Sequence, residues 1–326
     1  YIIMPLISAL AFSLNSYGFA GAGAGDLIID YLIQAGGGAG GSNYGGGGGA
    51  GGLRLGASIP VEAGVEYTIS VGGGGTVVPA SPSAGNNGVG SFIEGGTLSH
   101  IGSNGGGGGG SYNLDTEHNS RSGGCGGGSG FEYPTGTFGP RSKSLFLNSA
   151  NGHSGSVTSE NVFRGSSIQG SDGGEGGHAP GVWAGTGGGG GTLQIGQDAK
   201  QNHPSPNKGG HGGNGLTSTI DGNSTAYGGG GGGSISTSPQ GGTNEAGGAG
   251  GGGAGAAAPN GGVAGTTNSG GGGGGGGNGT AGGAGGSGVV IIRTAQTAKA
   301  VTGSPTETTD GGFNIYKFTG TGSITF

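Results

Sequence analysis

Few side chains in this 326-residue chain could take part in catalysis or metal binding, and they are scattered along it. Among the histidines, only the neighbours Glu117 and His118 and the pair His203 and His211 lie near another candidate ligand. Neither spacing is that of a zinc site, in which cysteines or histidines pair a few residues apart. We therefore expect no metal and no cofactor, and histidines that are exposed on loops. The six histidines are His100, His118, His153, His178, His203 and His211.

The short motifs of common enzyme classes are missing from the sequence. It has neither the Gly-x-Ser-x-Gly turn of serine hydrolases nor the Gly-Lys-Ser/Thr loop that holds phosphate. Gly-x-Gly-x-x-Gly occurs, but in a chain with 101 glycines it arises from composition alone. The single cysteine, Cys125, has no partner for an intrachain disulfide, and we interpret it as a weakly reactive thiol. The sequence predicts a protein that is not an enzyme.

Aromatic side chains are the residues best suited to binding, because tyrosine and tryptophan provide rigid contact area at low entropic cost. We take Tyr112, Tyr133 and Trp183 as candidate receptor-binding residues, with packing in a small core as the alternative role. The longest glycine-poor interval, 130–185, holds two of them and is the most distinctive candidate surface. Four phenylalanines are expected instead to fill small cores beneath a long loop: Phe131, Phe138, Phe146 and Phe163.

The elements that position these residues must be built largely from glycine, which forms uninterrupted runs such as 105–110 and 270–277. A single extended glycine strand has no internal hydrogen bonds and no side chain to bury, yet ordering its backbone costs about 1–2 kcal/mol per residue. Strands packed side by side recover that cost through backbone hydrogen bonds, each worth about 0.5–1.5 kcal/mol net. A bundle of polyglycine II strands is therefore predicted, with a flexible glycine linker as the alternative.

Composition excludes several classes of protein. Charged residues are 8% of the chain, with 10 Lys+Arg against 16 Asp+Glu and no Arg-Gly-Gly, so no nucleic-acid partner is expected. Collagen requires glycine at every third position together with abundant proline, whereas this chain has only 12 prolines. No stretch reaches the roughly 18 apolar residues of a membrane span. The apolar segment 2–11 could belong to a signal peptide but lacks a basic start, so we expect a mid-protein or processed beginning.

Strand-forming runs cluster at the two ends of the chain. The apolar run 27–33 predicts a strand that is buried on both faces, and the alternation in 65–71 predicts a half-buried strand. Near the end, 313–318 and 323–326 flank Thr-Gly-Thr-Gly, which is typical of a β-hairpin. Further strands are predicted at 91–93, 98–101 and 289–293.

The predicted architecture is mainly β and irregular, with essentially no α-helix. A polyglycine II strand bundle, or glycine-rich sandwich, is closed by a small β-sandwich that both termini contribute. The predicted divisions are 1–26, an attachment or processed segment; 27–104, strands with the first glycine runs; 105–288, the bundle with variable loops; and 289–326, the C-terminal strands and hairpin.

Three stretches carry a resemblance to a known group of proteins. They are 32–41 followed by 49–53, where Leu-Ile-Gln-Ala precedes the first glycine runs; 67–75, where Tyr-Thr-Ile-Ser-Val leads into four glycines; and 285–293 together with 316–326, which hold the Val-Val-Ile-Ile-Arg run and the Tyr-Lys-Phe-Thr-Gly-Thr-Gly-Ser-Ile-Thr-Phe ending. They resemble the glycine-rich domain common in phage tail fibres and related structural proteins. The chain is similar in character to the distal adhesins of T-even-like phage long tail fibres, although 1–25 matches no adapter or shaft.

The resemblance implies a function but transfers no individual residue. It implies an extracellular or virion-surface protein that binds a bacterial surface protein or glycan through loops between polyglycine strands, joined to a fibre shaft or to identical subunits. A second interpretation is a self-assembling extracellular filament in which the terminal segment 313–326 is donated to the next subunit. A third is an ice-binding protein, against which the sequence shows no regular array of Thr or Ala.

Overall fold

The structure is a computed structural model that describes residues 27–112, 119–131, 167–177, 185–199, 208–235, 245–257 and 259–326. These residues contain β-strands and no helix, which confirms the predicted fold class. The strands are β1 (Ile28–Gln34), β2 (Leu53–Pro60), β3 (Glu66–Ser70), β4 (Ser91–Gly95), β5 (Leu98–Ser103), β6 (Ser167–Gln169), β7 (Leu216–Ser218), β8 (Thr225–Tyr227), β9 (Val289–Thr294), β10 (Ala300–Thr302), β11 (Thr306–Asp310), β12 (Phe313–Phe318) and β13 (Gly322–Thr325).

Two antiparallel sheets form a β-sandwich from both ends of the described chain. One sheet has the strand order β11-β12-β9-β1-β2-β6, and the other has the order β10-β13-β3-β4-β5. Their facing sides bury one apolar core, which includes Tyr31, Ile69, Ile93, Ile292 and Phe318. The alternation along β3 buries Tyr67 and Ile69 and exposes their neighbours, as predicted for a half-buried strand.

Strand β1 is buried on both faces, which confirms the prediction from its apolar run. Ile33 faces the core between the sheets, whereas Leu32 faces a second core on the other side of its sheet. The β7–β8 hairpin covers that second core with Leu216 and Tyr227.

The predicted hairpin between 313–318 and 323–326 is wrong. β12 pairs with β11 and β9, whereas β13 pairs with β10 and β3 in the opposite sheet, so the connection crosses the sandwich. The hairpin in this region is β11–β12 instead, with Gly311 and Gly312 both at positive φ in its two-residue turn. A two-residue hairpin turn with positive φ at both positions favours Gly-Gly. Both terminal strands therefore lie inside sheets of their own chain.

Glycine strands extend from one end of this sandwich and hydrogen-bond with a period of three residues. In the strand 35–43, the N–H groups of Gly36 and Ala39 donate to Val89 and Asn86 of one neighbour. The next residues in sequence donate to a second neighbour and those after them to a third. Three residues per turn, without hydrogen bonds along the strand, is the geometry of polyglycine II. The glycine runs thus form the predicted bundle.

The strand 45–52 at the centre of the bundle is surrounded by six others. Its N–H groups donate in rotation to 270–276, 107–110 and 187–190. Its carbonyl groups accept in rotation from 231–234, from 35–41 and, at Gly47 and Ala50, from Gly128 and Cys125. Each strand in such an array is held by backbone alone, so the bundle needs almost no side chains.

Glycine is required at most enclosed positions of this array because the neighbouring backbone lies too close there for a methyl group, although Ala39 and Ala50 are accommodated. A Cβ at Gly47 would overlap the carbonyl group of Gly231, and one at Gly37 would overlap the carbonyl group of Gly271. Gly73 lies on the outside of the bundle, and a Cβ there would have no atom within 4 Å. Glycine is therefore required where a position faces a neighbouring strand, and it is not required at every position of a glycine run.

The bundle has a proximal end at the sandwich and a distal end far from it. At the proximal end, β1 continues directly into the strand 35–43, and the strands 45–52 and 280–288 continue into β2 and β9. The register places Gly45, Ser234 and Gly276 together at the distal end, since Gly45 is hydrogen-bonded to both of the others.

The β7–β8 hairpin is fastened to the sandwich by a buried carboxylate. Asp221 accepts hydrogen bonds from Lys317 Nζ and from the Tyr227 hydroxyl, both at 3.0 Å. Burial alone would raise the pKa of Asp221, but Lys317, the Asn223 N–H and Tyr227 outweigh it and hold the pKa below its ordinary value. Burial and the neighbouring Asp221 charge raise the pKa of Tyr227, which stays a hydrogen-bond donor.

Candidate functional site: the distal aromatic cluster

The largest group of aromatic side chains outside the sandwich, among the described residues, lies at the distal end of the bundle. We call Tyr44, Tyr112 and Phe131 the distal aromatic cluster. Tyr44 ends the strand 35–43, Tyr112 follows the strand 104–111, and Phe131 follows the strand 125–130. Three strands that run toward the distal end thus each deliver one ring to the same place.

The three rings contact one another. Tyr112 and Phe131 are stacked with centroids 5.9 Å apart and an interplanar angle of 9°. Tyr44 is tilted against both, with centroid distances of 5.8 Å to Tyr112 and 6.0 Å to Phe131. Aromatic pairs at these separations contribute about 0.5–1.5 kcal/mol beyond their burial. Tyr44 and Phe131 are buried, whereas Tyr112 is partly exposed and carries the accessible face of the cluster.

The turn that holds Tyr44 has an unusual backbone. Asn43 and Tyr44 have φ values of 47° and 57°, in the left-handed region that a bulky residue rarely adopts. Such strain costs about 1–3 kcal/mol per residue and persists only where the surroundings enforce it. Two consecutive residues at positive φ therefore indicate that the surrounding contacts hold this turn, and with it the Tyr44 ring, in place.

Hydrogen bonds from several strands enforce that turn. Asn43 N–H donates to the Thr280 carbonyl, and the Asn43 side chain accepts from Gly279 N–H, both at 2.9 Å. The carbonyl of Asn43 accepts from Tyr112 N–H at 3.1 Å, which couples two members of the cluster through the backbone.

A serine network lies beside the turn and continues the support. Ser111 Oγ donates to the Ser42 carbonyl at 2.6 Å, and Ser83 N–H donates to both Ser42 Oγ and Ser111 Oγ at 3.0 Å. Ser42, Ser83 and Ser111 lie where strands of the bundle end, so their hydrogen bonds join these strand ends beside the distal aromatic cluster.

The candidates named from sequence fall into two groups. Tyr112 belongs to the distal aromatic cluster, and Phe131 packs within it, as we expected for that phenylalanine. Tyr133 and Trp183 lie outside the described residues, as do Phe138, Phe146 and Phe163. Trp183 belongs to a connection whose flanking residues, Gly177 and Gly185, are hydrogen-bonded to each other.

Sequence reasoning did not select Tyr44, although a signal was present. It is the only aromatic residue between the glycine runs 36–38 and 45–49, where it follows Ser-Asn. Asn is the residue that most readily adopts the left-handed region after Gly. An Asn-aromatic pair between two glycine runs therefore indicates a tip turn.

Long connections between strands also collect at the distal end. The residues that flank 113–118, 178–184, 200–207 and 236–244 all lie there, and 132–166 starts there and returns to the sandwich at β6. The corresponding proximal turns of the bundle, at 192–194 and 249–251, are short.

The titratable residues that the structure describes do not form a second site. His100 lies on β5, 3.1 Å from Glu94, and His211 lies on a bundle strand, 2.7 Å from Glu245; both are exposed. The prediction that the histidines lie on loops is wrong for these two, and the other four, His118, His153, His178 and His203, lie outside the described residues. No group of three or more possible metal ligands occurs in the described ranges. Cys125 is fully buried, and burial raises the pKa of its thiol to about 12, which makes it a poor nucleophile. The described part of the chain also has no helix with the length and apolarity needed to cross a bilayer.

Comparison with known proteins gives one result. Among curated proteins, none matches the sequence. The glycine-rich domain family matches residues 19–295, which includes the glycine bundle and the strands β1 to β9. Because this match covers most of the chain, the protein belongs to the glycine-rich domain family.

Proposed function

We propose that this protein is a receptor-binding module of a phage tail fibre, which attaches to a protein or glycan on a bacterial surface through its distal end. The observation that carries the proposal is the asymmetry between the two ends of the bundle. The proximal end is closed by the sandwich, whereas the distal end gathers the distal aromatic cluster and the long connections.

The physics of binding supports this assignment. A bundle in which a central strand bonds to six others is a rigid support, and rigidity lowers the entropic cost of presenting a surface. Partly exposed tyrosines such as Tyr112 provide contact area with few rotatable bonds. Connections on a rigid scaffold vary in sequence without cost to the fold, which suits a protein that must match different receptors.

The filament interpretation is less well supported. It requires a terminal strand that can pair with a neighbouring subunit, but β12 and β13 are each paired on both sides within the chain. Deletion of 311–326 should therefore abolish folding rather than leave folded monomers, which circular dichroism and gel filtration would distinguish.

A cell-binding assay tests the proposal. The fluorescently labelled chain would be titrated onto a panel of bacterial strains and bound protein measured by flow cytometry. On a strain that binds, Tyr112→Ala, Tyr133→Ala and Trp183→Ala should each be compared with the unchanged protein. At least one is expected to weaken binding tenfold or more, since hot-spot aromatics contribute about 2 kcal/mol or more.

Phe313→Ala is the matched control, because Phe313 is an exposed aromatic residue on the sandwich. It should leave binding unchanged. Melting temperatures would separate loss of binding from loss of folding for Tyr112→Ala, whose ring is packed in the cluster. Binding that is lost with Phe313→Ala and kept by Tyr112→Ala, Tyr133→Ala and Trp183→Ala would overturn the proposal.

A further inference from the structure

The distal end of the bundle has a charged half and an uncharged half. The charged half carries Glu175, Asp198 and Lys208, each of which lies near the end of a bundle strand. The uncharged half holds the distal aromatic cluster, and no Asp, Glu, Lys, Arg or His occurs in its turns and strand ends. These turns and strand ends are 41–45, 78–84, 111–112, 129–131, 259–261 and 277–281.

Three asparagines stand in neighbouring turns of the uncharged half, and we call Asn43, Asn260 and Asn278 the tip asparagines. Asn43 Oδ1 accepts a hydrogen bond from Gly279 N–H at 2.9 Å, so Asn278, the residue before it, lies in the turn beside Asn43. Thr280 Oγ1, in the same turn, donates to the Asn260 carbonyl at 2.9 Å. One turn, 277–280, thus brings the three asparagines together.

The side-chain amides of the tip asparagines are open within the described part of the chain. Asn260 and Asn278 are exposed, and their side chains make no hydrogen bond with any described residue. Asn43 is partly exposed, and its Nδ2 likewise donates to none of these residues. On the side of the bundle, by contrast, Asn86 Nδ2 donates to Thr76 Oγ1 at 2.9 Å. Because an amide offers two donors and an acceptor oxygen, the tip asparagines can bond to the hydroxyl groups of a ligand.

Tyr112 supplies an apolar surface beside these amides. Its ring is partly exposed, and its N–H donates to the Asn43 carbonyl at 3.1 Å, which places Tyr112 next to the tip asparagines. Sugars present apolar C–H faces that pack against aromatic rings, and hydroxyl groups that bond to amides. Interfaces with proteins are enriched in arginine and methionine as well as in aromatic residues, and neither arginine nor methionine occurs in the turns and strand ends of the uncharged half.

We infer that the uncharged half of the distal end binds a neutral sugar chain of the bacterial surface. Tyr112 packs against one sugar ring, and the tip asparagines donate to and accept from the hydroxyl groups around it. The inference rests on the receptor-binding function proposed above and narrows the receptor from a protein or glycan to a neutral glycan.

An anionic sugar fits this half poorly. The chain has a net charge of −6, and the uncharged half offers no cation to a sulfate, phosphate or carboxylate group. Arg121 belongs to the side of the bundle, where its N–H donates to the Gly108 carbonyl, one turn of the polyglycine helix below Ser111. Affinity for the sugar therefore comes from packing and from neutral hydrogen bonds.

Competition between bacterial cells and a soluble polysaccharide tests the inference. Polysaccharide is extracted from a strain that binds the fluorescently labelled full chain and is freed of protein with proteinase K. It should compete with the cells in flow cytometry, and periodate, which cleaves the vicinal diols of sugars, should abolish the competition. Because no charged group takes part, the dissociation constant should change less than about threefold between about 50 and about 500 mM salt.

Two asparagine variants and a matched control locate the site. Asn260→Ala and Asn278→Ala should each weaken binding of the polysaccharide roughly three- to tenfold, because each removes a hydrogen bond to a neutral hydroxyl group. Gln296→Ala is the control, because Gln296 is an exposed side-chain amide in the turn that follows β9 of the sandwich, and it should leave binding unchanged. Neither Asn260 nor Asn278 has a positive φ, so alanine fits both positions, and melting temperatures would show that each variant is folded.

Failure of the polysaccharide to compete would overturn the neutral glycan. If treatment of the cells with proteinase K then abolished binding, the receptor would be a protein, and the receptor-binding function would stand without this inference. Polysaccharide binding that Tyr112→Ala, Asn260→Ala and Asn278→Ala all leave unchanged would also overturn it, as would binding that is lost at high salt. A chain that binds no strain would overturn both the function and the inference.

Discussion

The sandwich and the glycine bundle of this protein are stable for opposite reasons. The sandwich buries large side chains such as Phe318 and Ile69 between two sheets, and its backbone pairs only within each sheet. The bundle buries almost no side chains, and the backbone of its central strand pairs with six neighbours. In the sandwich, adding or removing volume changes the packing of side chains, whereas at the enclosed glycines of the bundle an added methyl group would overlap a neighbouring carbonyl group.

The largest expected effect comes from removing a large side chain from the sandwich. Phe318 is fully buried, so Phe318→Ala should lower the free energy of unfolding by about 3–5 kcal/mol. Urea unfolding followed by intrinsic fluorescence would measure it. Thr308→Ala, on the exposed edge strand β11, is the control and should change the free energy by less than about 0.5 kcal/mol.

In the bundle, adding one methyl group should have an effect close to that of removing a phenyl ring. Gly47→Ala places a Cβ against the carbonyl group of Gly231, so that the backbone of a neighbouring strand must shift to make room for it. Overpacking costs about 1–3 kcal/mol, and we expect the upper end of that range because the overlap is with backbone. An unchanged urea midpoint for Gly47→Ala would mean that the central strand is not enclosed as described.

The third prediction concerns the carboxylate that fastens the β7–β8 hairpin. Asp221→Asn should cost about 2 kcal/mol at pH 7, because a charged acceptor of the Lys317 and Tyr227 hydrogen bonds is lost. Since the folded pKa of Asp221 lies below the unfolded value near 4, this stability is present above pH 4 and is lost as pH falls through the folded pKa.

Urea titrations at several pH values would test this dependence. The difference between the unchanged protein and Asp221→Asn should shrink below pH 4. Asp310→Asn is the control, because Asp310 is half-exposed and lies 4.0 Å from Arg293. Its effect should be much smaller at every pH. A constant cost for Asp221→Asn down to pH 2 would rule out the charge as its cause.

The smallest expected effect has the opposite sign. Gly73 lies outside the bundle with no atom near its Cβ position and without a positive φ, so alanine fits there. Gly73→Ala should raise the free energy of unfolding by about 0.4–1 kcal/mol, because it reduces the freedom of the unfolded chain. Comparison of its melting temperature with that of Gly47→Ala shows whether enclosure, rather than glycine itself, decides the outcome.

How much could be predicted from sequence differs between the two regions. The apolar runs of β1, β3 and β9 identified the sandwich strands, because burial on one or both faces leaves a direct pattern. Glycine runs identified the bundle as a whole. They could not identify which strands are neighbours, because glycine carries no side chain that distinguishes one partner from another.

The errors have physical causes as well. The hairpin predicted after β12 failed because Thr-Gly-Thr-Gly suits a crossing between sheets as well as a turn, whereas Gly311 and Gly312 marked the real hairpin. Tyr112 was found because it is a tyrosine beside a glycine run. Its contact with Tyr44 and Phe131 depends on three strands that end at the same level, which hydrogen-bond register decides.

Amide hydrogen exchange tests most directly the claim that the glycine runs form a hydrogen-bonded scaffold. Mass spectrometry would follow peptides that cover 45–52 and β9 in the same sample. The structure predicts that the amides of 45–51 exchange as slowly as those of β9, because both open only when the whole fold opens. If the amides of 45–51 exchanged at the rate of an unstructured chain while β9 stayed protected, the hydrogen-bonded scaffold would be contradicted. The glycine runs would then be a flexible linker.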